Sequence, residues 1–211
     1  MKDRVCIISV VYGEPEWKKT KECLELLDIP VNYIDRGGVG SLAEAINKGF
    51  TKYAKPKHDY VLFVTNVTFP SMMLKKLVKE MDRSGYAAIH PSFNSDHHFC
   101  RPLNQDCTVE SPFVEFTCCM VRRDVFLNHY LDERMPYWGH DLDWGYRVKR
   151  SGYDVGIYHG IKLEHVYIRH NKKKHPLTQE RKRLRNNADS STKAALIDKY
   201  GPNWRDFVWA L

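Results

Sequence analysis

The sequence has no run of about 18 apolar residues, the length needed to cross a bilayer as a helix. Its first residues, Met1-Lys2-Asp3-Arg4, pass straight into a short apolar segment with no small-residue cleavage pattern. A spanning or exported chain is therefore not expected, and a cytoplasmic one is. The six cysteines, Cys6, Cys23, Cys100, Cys107, Cys118 and Cys119, lack the paired spacing of a zinc site. Two are adjacent inside an apolar run, which fits free thiols in a reducing compartment better than a disulfide framework. Acidic residues are the minority: 26 against 33 lysines and arginines, a formal charge of +7. Such a balance favours anionic partners, including nucleotides, phosphorylated substrates, nucleic acid or a membrane surface. Much of the excess lies near the C-terminus, so it need not describe a reactive site.

What is present suits one good core, with at most a small appendage: 211 residues, 43% of them hydrophobic. Arg4 to Tyr12 is a continuous β-branched run, the pattern of a strand buried on both faces of a parallel sheet. Pro15 then opens a helix through Asp28, with Trp17, Thr20, Leu24 and Leu27 on one stripe. Val31 to Asp35 is a second strand and Arg36 to Gly40 a glycine-rich loop. Ser41 to Ala54 is a second helix, opened by a Ser41/Glu44 capping box. The loop could cradle phosphate at that helix N-terminus or serve only as a tight turn. Tyr60 to Thr65 is a third strand, followed by a helix from Ser71. Three strand-helix units in succession predict an open, mostly parallel α/β sheet with its ligand site at the carboxyl ends of the strands. Tyr12, Asp35 and Asn66 stand at such ends.

A fourth strand is expected at Tyr86 to His90. Pro91 to Pro112 has no clear period, and a loop of that length in a compact domain is usually functional or disordered. His97 and His98 within it read as solvated or, less simply, as metal ligands. Phe113 to Val121 is a further apolar strand, and Val155 to Tyr158 and Ile161 to Ile168 two more. Past Arg169 come basic runs at 170–175 and 181–185, then a short helix from Ser191 to Tyr200. The basic tail reads as a solvated face or as a contact with an anionic substrate or membrane surface.

The densest concentration of chemistry is Tyr137-Trp138-Gly139-His140-Asp141-Leu142-Asp143-Trp144-Gly145-Tyr146-Arg147. If a helix begins near His140, Asp141 and Asp143 point about 200° apart on its ~3.6-residue repeat. Asp143 then pairs with Arg147 at i,i+4. Asp141 is left in the first turn, where backbone N–H groups stabilise a carboxylate; it either caps the helix or serves chemistry.

Taken in order, these pieces resemble the family 2 inverting glycosyltransferases of the GT-A fold, especially rhamnosyltransferase-like members, over about Val5 to Ile168. The resemblance rests on the Val10-Val11-Tyr12 turn with Glu14, on Asp35, on Gly40-Ser41-Leu42-Ala43-Glu44-Ala45-Ile46-Asn47-Lys48-Gly49, on the strand Val61 to Val64, and on His140-Asp141-Leu142-Asp143 where the family usually has Glu-Asp-x-Asp. It implies a GT-A α/β fold, with a mostly parallel central sheet, helices on both faces, and a Rossmann-like nucleotide-binding half beside an acceptor half. The corresponding divisions are a catalytic domain over 1–169, split near residue 90, and a basic helical extension over 170–211 packed on it. The resemblance further implies a nucleotide-sugar donor, a glycan or glycoprotein acceptor and no nucleic-acid partner. Asp141 would be the general base. Val11, Tyr12, Glu14, Asp35, Arg36 and Asn66 would bind the nucleotide. Asn47, Trp138, His140 and Glu115 would contact sugar or acceptor, with Trp138 either a stacking platform or core.

One departure stands out. The family's metal-binding Asp-x-Asp is replaced by Thr65-Asn66-Val67, so Mn²⁺ or Mg²⁺ would be weakly held, mainly by the donor diphosphate, with Asn66 and His165 offering ligands. Metal-free stabilisation of the diphosphate by Arg or Lys is the alternative. The compact size and this departure are also similar to glycosyltransferase domains of large algal viruses that build capsid glycans. That narrower likeness implies a UDP-sugar, with rhamnose or glucose as the type, host-cell cytoplasm, and further domains in a larger chain. A sugar-phosphate nucleotidyltransferase, or a non-enzymatic anion- or nucleic-acid-binding protein using the basic tail, are the competing readings.

Overall fold

The computed structural model describes residues 3–11, 15–35, 41–93, 100–165 and 176–209. Its first 84 residues alternate as expected: β1 (Val5–Val11), α1 (Pro15–Glu25), β2 (Val31–Asp35), α2 (Leu42–Tyr53), β3 (Tyr60–Val64), a short β4 (Val67–Thr68) and α3 (Met73–Ser84). Then come β5 (Ala88–Phe93), β6 (Thr108–Glu110), β7 (Cys118–Arg122), α4 (Arg123–Asn128), α5 (His140–Arg150), β8 (Val155–His165), α6 (Pro176–Tyr200) and α7 (Trp204–Trp209).

The eight strands form one sheet in the order β2-β1-β3-β7-β5-β8-β4, with β6 also on β8. β1 pairs in parallel with β2 and β3, and β5 with β8. β7 lies between β3 and β5, antiparallel to both, so β1, β2, β3, β5 and β8 all run the same way. Alternation sorts the central strands onto two cores. Val5, Ile7, Leu62 and Val64 face α1 and α3, while Cys6, Ile8, Val61 and Phe63 face α2, α4 and α5. Helices therefore cover both faces of the sheet, which is what continuous apolar strands require.

Some elements differ from the sequence reading. The apolar run at 113–121 is a strand only from Cys118; Phe113, Val114 and Phe116 are buried in irregular backbone, because an apolar run signals burial and not its geometry. The two strands expected at 155–158 and 161–168 are one strand through His165, with a register shift opposite Pro91/Ser92. The helix expected from Ser191 begins at Pro176. All six cysteines are free, as expected.

The irregular stretch before β7 is pressed against α5. A Cβ on Gly145 would lie 2.6 Å from Pro112 O and 2.8 Å from Phe113 Cα, both backbone atoms with no rotamer to change. Gly145→Ala should accordingly lower stability by about 1–3 kcal/mol, measurable as a drop in the denaturant midpoint; an unchanged midpoint would mean that the two backbones separate without cost.

Candidate functional site

Parallel register carries the carboxyl ends of β1, β2 and β3 to one edge of the sheet. Val11 is the register partner of Asp35, and Ser9 is paired with both Tyr33 and Val64. Trp17 of α1 closes over this corner, its ring 5.6 Å from that of Tyr33 and its Nε1–H donating to Ser9 Oγ at 3.4 Å. Because β7 runs the other way, its entry segment reaches the same edge, where Thr65 N–H donates to Thr117 O at 2.8 Å. Thr65 at the end of β3 is thereby tied to Thr117, two residues after Glu115 in the same entry segment.

The turn after β3 is polar and strained. Asn66 has a φ of 39°, the sole non-glycine residue with positive φ among those described. Its Oδ1 and the Oγ1 of Thr65 are buried and meet no partner among the described residues. Opposite the turn, Val67 is in register with His165. Two neutral oxygens suit a hard cation that arrives already neutralised by phosphate better than a free one. No group of three His, Cys, Asp or Glu side chains able to hold a metal occurs among the described residues.

The other wall is the start of α5. Gly139 holds the N-cap position at φ 82°, a backbone that glycine adopts without steric cost. Asp141 therefore lies inside the first turn and not at the cap itself, and its Oδ1 accepts the Leu142 N–H at 2.9 Å. His140 is buried, and its Nδ1 is 3.0 Å from Met135 O, an acceptor, which fixes the ring proton on Nδ1. Burial lowers the His140 pKa against the opposing charge of Asp141. Its ring faces Phe116 at 6.3 Å, and Phe116 in turn meets Trp144 edge-on at 5.3 Å.

Across this aromatic contact Asp141 and Glu115 sense each other. Burial first, and then the charge of Asp141, push the Glu115 carboxyl up to about 8, although the Cys100 thiol donates to its Oε1 at 3.8 Å. Glu115 thus stays largely protonated at neutral pH and can donate a hydrogen bond there. The unfolded chain gives up this proton near pH 4.3 and the folded one near pH 8, so the associated stability is complete below the lower value and lost as pH rises through the window. The stability gap between Glu115→Gln and the wild type should widen in favour of the variant by about 2–4 kcal/mol from pH 5 to pH 8. Parallel melting curves at the two pH values would reveal it, and an equal gap at both would refute it.

The remaining expected site residues fall in different places. Asn47 is buried in α2 and does not face solvent. Its Nδ2 donates to Leu131 O at 2.9 Å and Glu133 Oε1 at 3.0 Å, and its Oδ1 accepts Leu131 N–H at 3.1 Å. It ties α2 to the segment that leads into α5, and Leu42 N–H adds a bond to Pro136 O at 2.7 Å. Trp138 is half-buried, with its indole N–H donated to Asp189 Oδ1 of α6 at 2.5 Å. Val11 and Asp35 are together at the β1–β2 corner. Tyr12, Glu14, Arg36, His97 and His98 lie outside the described residues, as do the His165 side chain and the basic run at 170–175.

Sequence reasoning missed the reach of α6. Ser191 Oγ donates to Arg134 O at 2.7 Å and Thr192 Oγ1 to Trp138 O at 3.3 Å. Lys199 and Tyr200 reach Asp143. These bonds join residues more than 50 positions apart, and no local pattern announces them.

No protein-family model and no curated protein matches the sequence. Solved structures do match in shape. GalNAc-T7, solved with UDP, GalNAc and Mn²⁺, superposes with a TM-score of 0.58 at 11% identity, covering 78% of this chain and 44% of its own. Residues 1–349 of TarS from S. aureus give 0.55 at 12% identity, covering 75% of this chain and 60% of theirs. A197 from STIV gives 0.53 at 12% identity over 76% of this chain and 84% of its own. The chain thus spans about half of the first two and most of the third.

Proposed function

We propose that this chain, whose fold is GT-A, is a glycosyltransferase that moves a sugar from a nucleotide diphosphate donor onto a hydroxyl of a glycan or glycoprotein. UDP-sugars, of the rhamnose or glucose type, are the favoured donors. Structures of similar fold contain UDP, and one form of TarS contains UDP-GlcNAc. The observation that carries the reading is the division of labour at α5. Asp143 is buried and takes three donors, whereas Asp141, two residues earlier, accepts one N–H among the described residues and stands beside a protonated Glu115 at the carboxyl edge of the sheet.

In this reading Asp141 takes the proton of the acceptor hydroxyl as its oxygen attacks the anomeric carbon, and the nucleoside diphosphate leaves from the opposite face, inverting the centre. Protonated Glu115 serves as a hydrogen-bond donor to sugar or acceptor, and His140, fixed through Met135, packs against Phe116 next to it. Val11, Asp35 and Asn66 line the nucleotide side. The Asn66 and Thr65 oxygens would hold Mn²⁺ or Mg²⁺ entering with the donor, with His165 a further ligand on the sequence resemblance alone; such an ion, when bound, supplies Lewis-acid neutralisation of the diphosphate. Membership of family 2, a viral capsid-glycan role and residence in a larger chain are the finer parts of the proposal and rest on sequence resemblance.

Calorimetric titration of UDP-, GDP- and dTDP-sugars, with and without Mn²⁺, followed by assay of diphosphate release, tests the reading. Binding of one donor class with slow hydrolysis is expected. Absence of binding to every nucleotide sugar would sink it and return attention to polyanion binding by the C-terminal residues.

A further inference from the structure

The buried Asp143 is the point at which two helices far apart in sequence meet. Arg147, one turn along α5, donates Nε–H to Asp143 Oδ2 at 2.8 Å. Both donors to the other oxygen come from the end of α6: Lys199 Nζ at 2.5 Å and Tyr200 OH at 2.5 Å. Lys199 also bonds Asp132 Oδ2 at 3.1 Å, and Asp132 is gripped by Arg134, which itself reaches Asp198. The segment from 131 to 143 is therefore held on one side by Asn47 of α2 and on the other by the last turn of α6.

Asp143 is in the first turn of α5, with its own N–H bonded to Gly139 O at 2.9 Å. Fixing its carboxylate fixes the turn that carries Asp141. Burial, and then the bond to Asp143, push the pKa of the Tyr200 hydroxyl up, so it stays a donor throughout the working range. Its ring packs edge-on against Tyr146 at 5.0 Å, which would hold the ring in place even without the hydroxyl.

We propose that Lys199 and Tyr200 are positioning residues for the Asp141 base, making the C-terminal end of α6 part of the catalytic apparatus. The proposal rests on the glycosyltransferase reading above. Orientation of a reacting group is worth large rate factors, and sub-ångström loosening is felt in turnover before it is felt in binding. Donor affinity, set at the ends of β1 to β3, should be untouched.

The test compares Tyr200→Phe, Lys199→Met and Ala195→Gly in the full chain. Ala195 is buried in α6 one turn earlier and its methyl side chain makes no hydrogen bond, so its variant supplies a loss of melting temperature without a lost bond to Asp143. Turnover at saturating donor and acceptor should fall about tenfold in Tyr200→Phe and more in Lys199→Met. The donor dissociation constant should stay within about twofold, and Ala195→Gly should keep wild-type turnover. Hydrogen exchange at residues 139–144 should quicken in the first two variants alone. If the wild type turns over and Tyr200→Phe equals it, or if turnover merely tracks melting temperature across all three, the positioning role is overturned while the enzyme reading survives. A wild type that neither binds nor hydrolyses any nucleotide sugar overturns both.

Discussion

Asp141→Asn should lower turnover by about 10²–10⁴-fold while leaving donor binding intact. The side chain keeps its shape, and its Oδ1 can still accept the Leu142 N–H that Asp141 accepts at 2.9 Å, so the first turn of α5 loses no bond. What disappears is the ability to take a proton. A loss of that size corresponds to about 3–5 kcal/mol of transition-state stabilisation, well above what a displaced surface carboxylate would give. Steady-state assays with saturating donor, paired with calorimetry on the same preparations, separate the two quantities. Wild-type turnover in the variant would remove Asp141 as the base and leave Glu115, with its raised pKa, as the carboxyl to examine.

The second large effect is on stability. Asp143→Ala should destabilise the fold by about 3 kcal/mol, a substantial part of the 5–15 kcal/mol that typically holds a domain together. Asp143 is fully buried, and its removal strands Arg147 without its counter-charge, leaves Lys199 with Asp132 alone, and leaves Tyr200 without an acceptor. Arg147 and Lys199 retain some contact with water, which keeps the expected loss at the lower end for broken buried pairs. Chemical denaturation read by tryptophan fluorescence is a direct measure, since Trp144 and Trp138 both lie close by. A shift below about 1 kcal/mol would show that the cluster is only an exposed-type ion pair.

These expectations also show which features a sequence can reveal. The strands β1 to β3 were legible because continuous apolar runs between turn residues have few other fates, and the Ser41 cap because it is local: Glu44 N–H does donate to Ser41 Oγ, at 3.2 Å. The Asp143–Arg147 pair was legible for the same reason, one helical turn apart and 2.8 Å in the structure. The GT-A fold expected from resemblance is the fold the chain has. What escaped was everything long-range. Asn47 finds its partners 84 and 86 residues away. Trp138 commits its indole to a helix 51 residues later. The elevated pKa of Glu115 arises from burial in a segment read as a plain strand, so nothing in its neighbours announced a protonated acid. Each of these depends on which distant surfaces are brought together, and periodicity carries no such information.

The placement of β7 has a consequence for how the chain is made. β3 and β5 do not pair with each other; both wait for residues 118–122 to enter between them in the opposite direction. As the polypeptide leaves the ribosome, β2, β1 and β3 can assemble early, yet one flank of β3 keeps unpaired backbone groups until that late segment arrives, and an open apolar flank invites pairing with a neighbouring chain. The β2-β1-β3 group and the β5-β8 group are consequently interlocked by one crossing strand. A fragment ending before Cys118 should aggregate where the longer chain folds, and efficient production should depend on shielding that flank during synthesis.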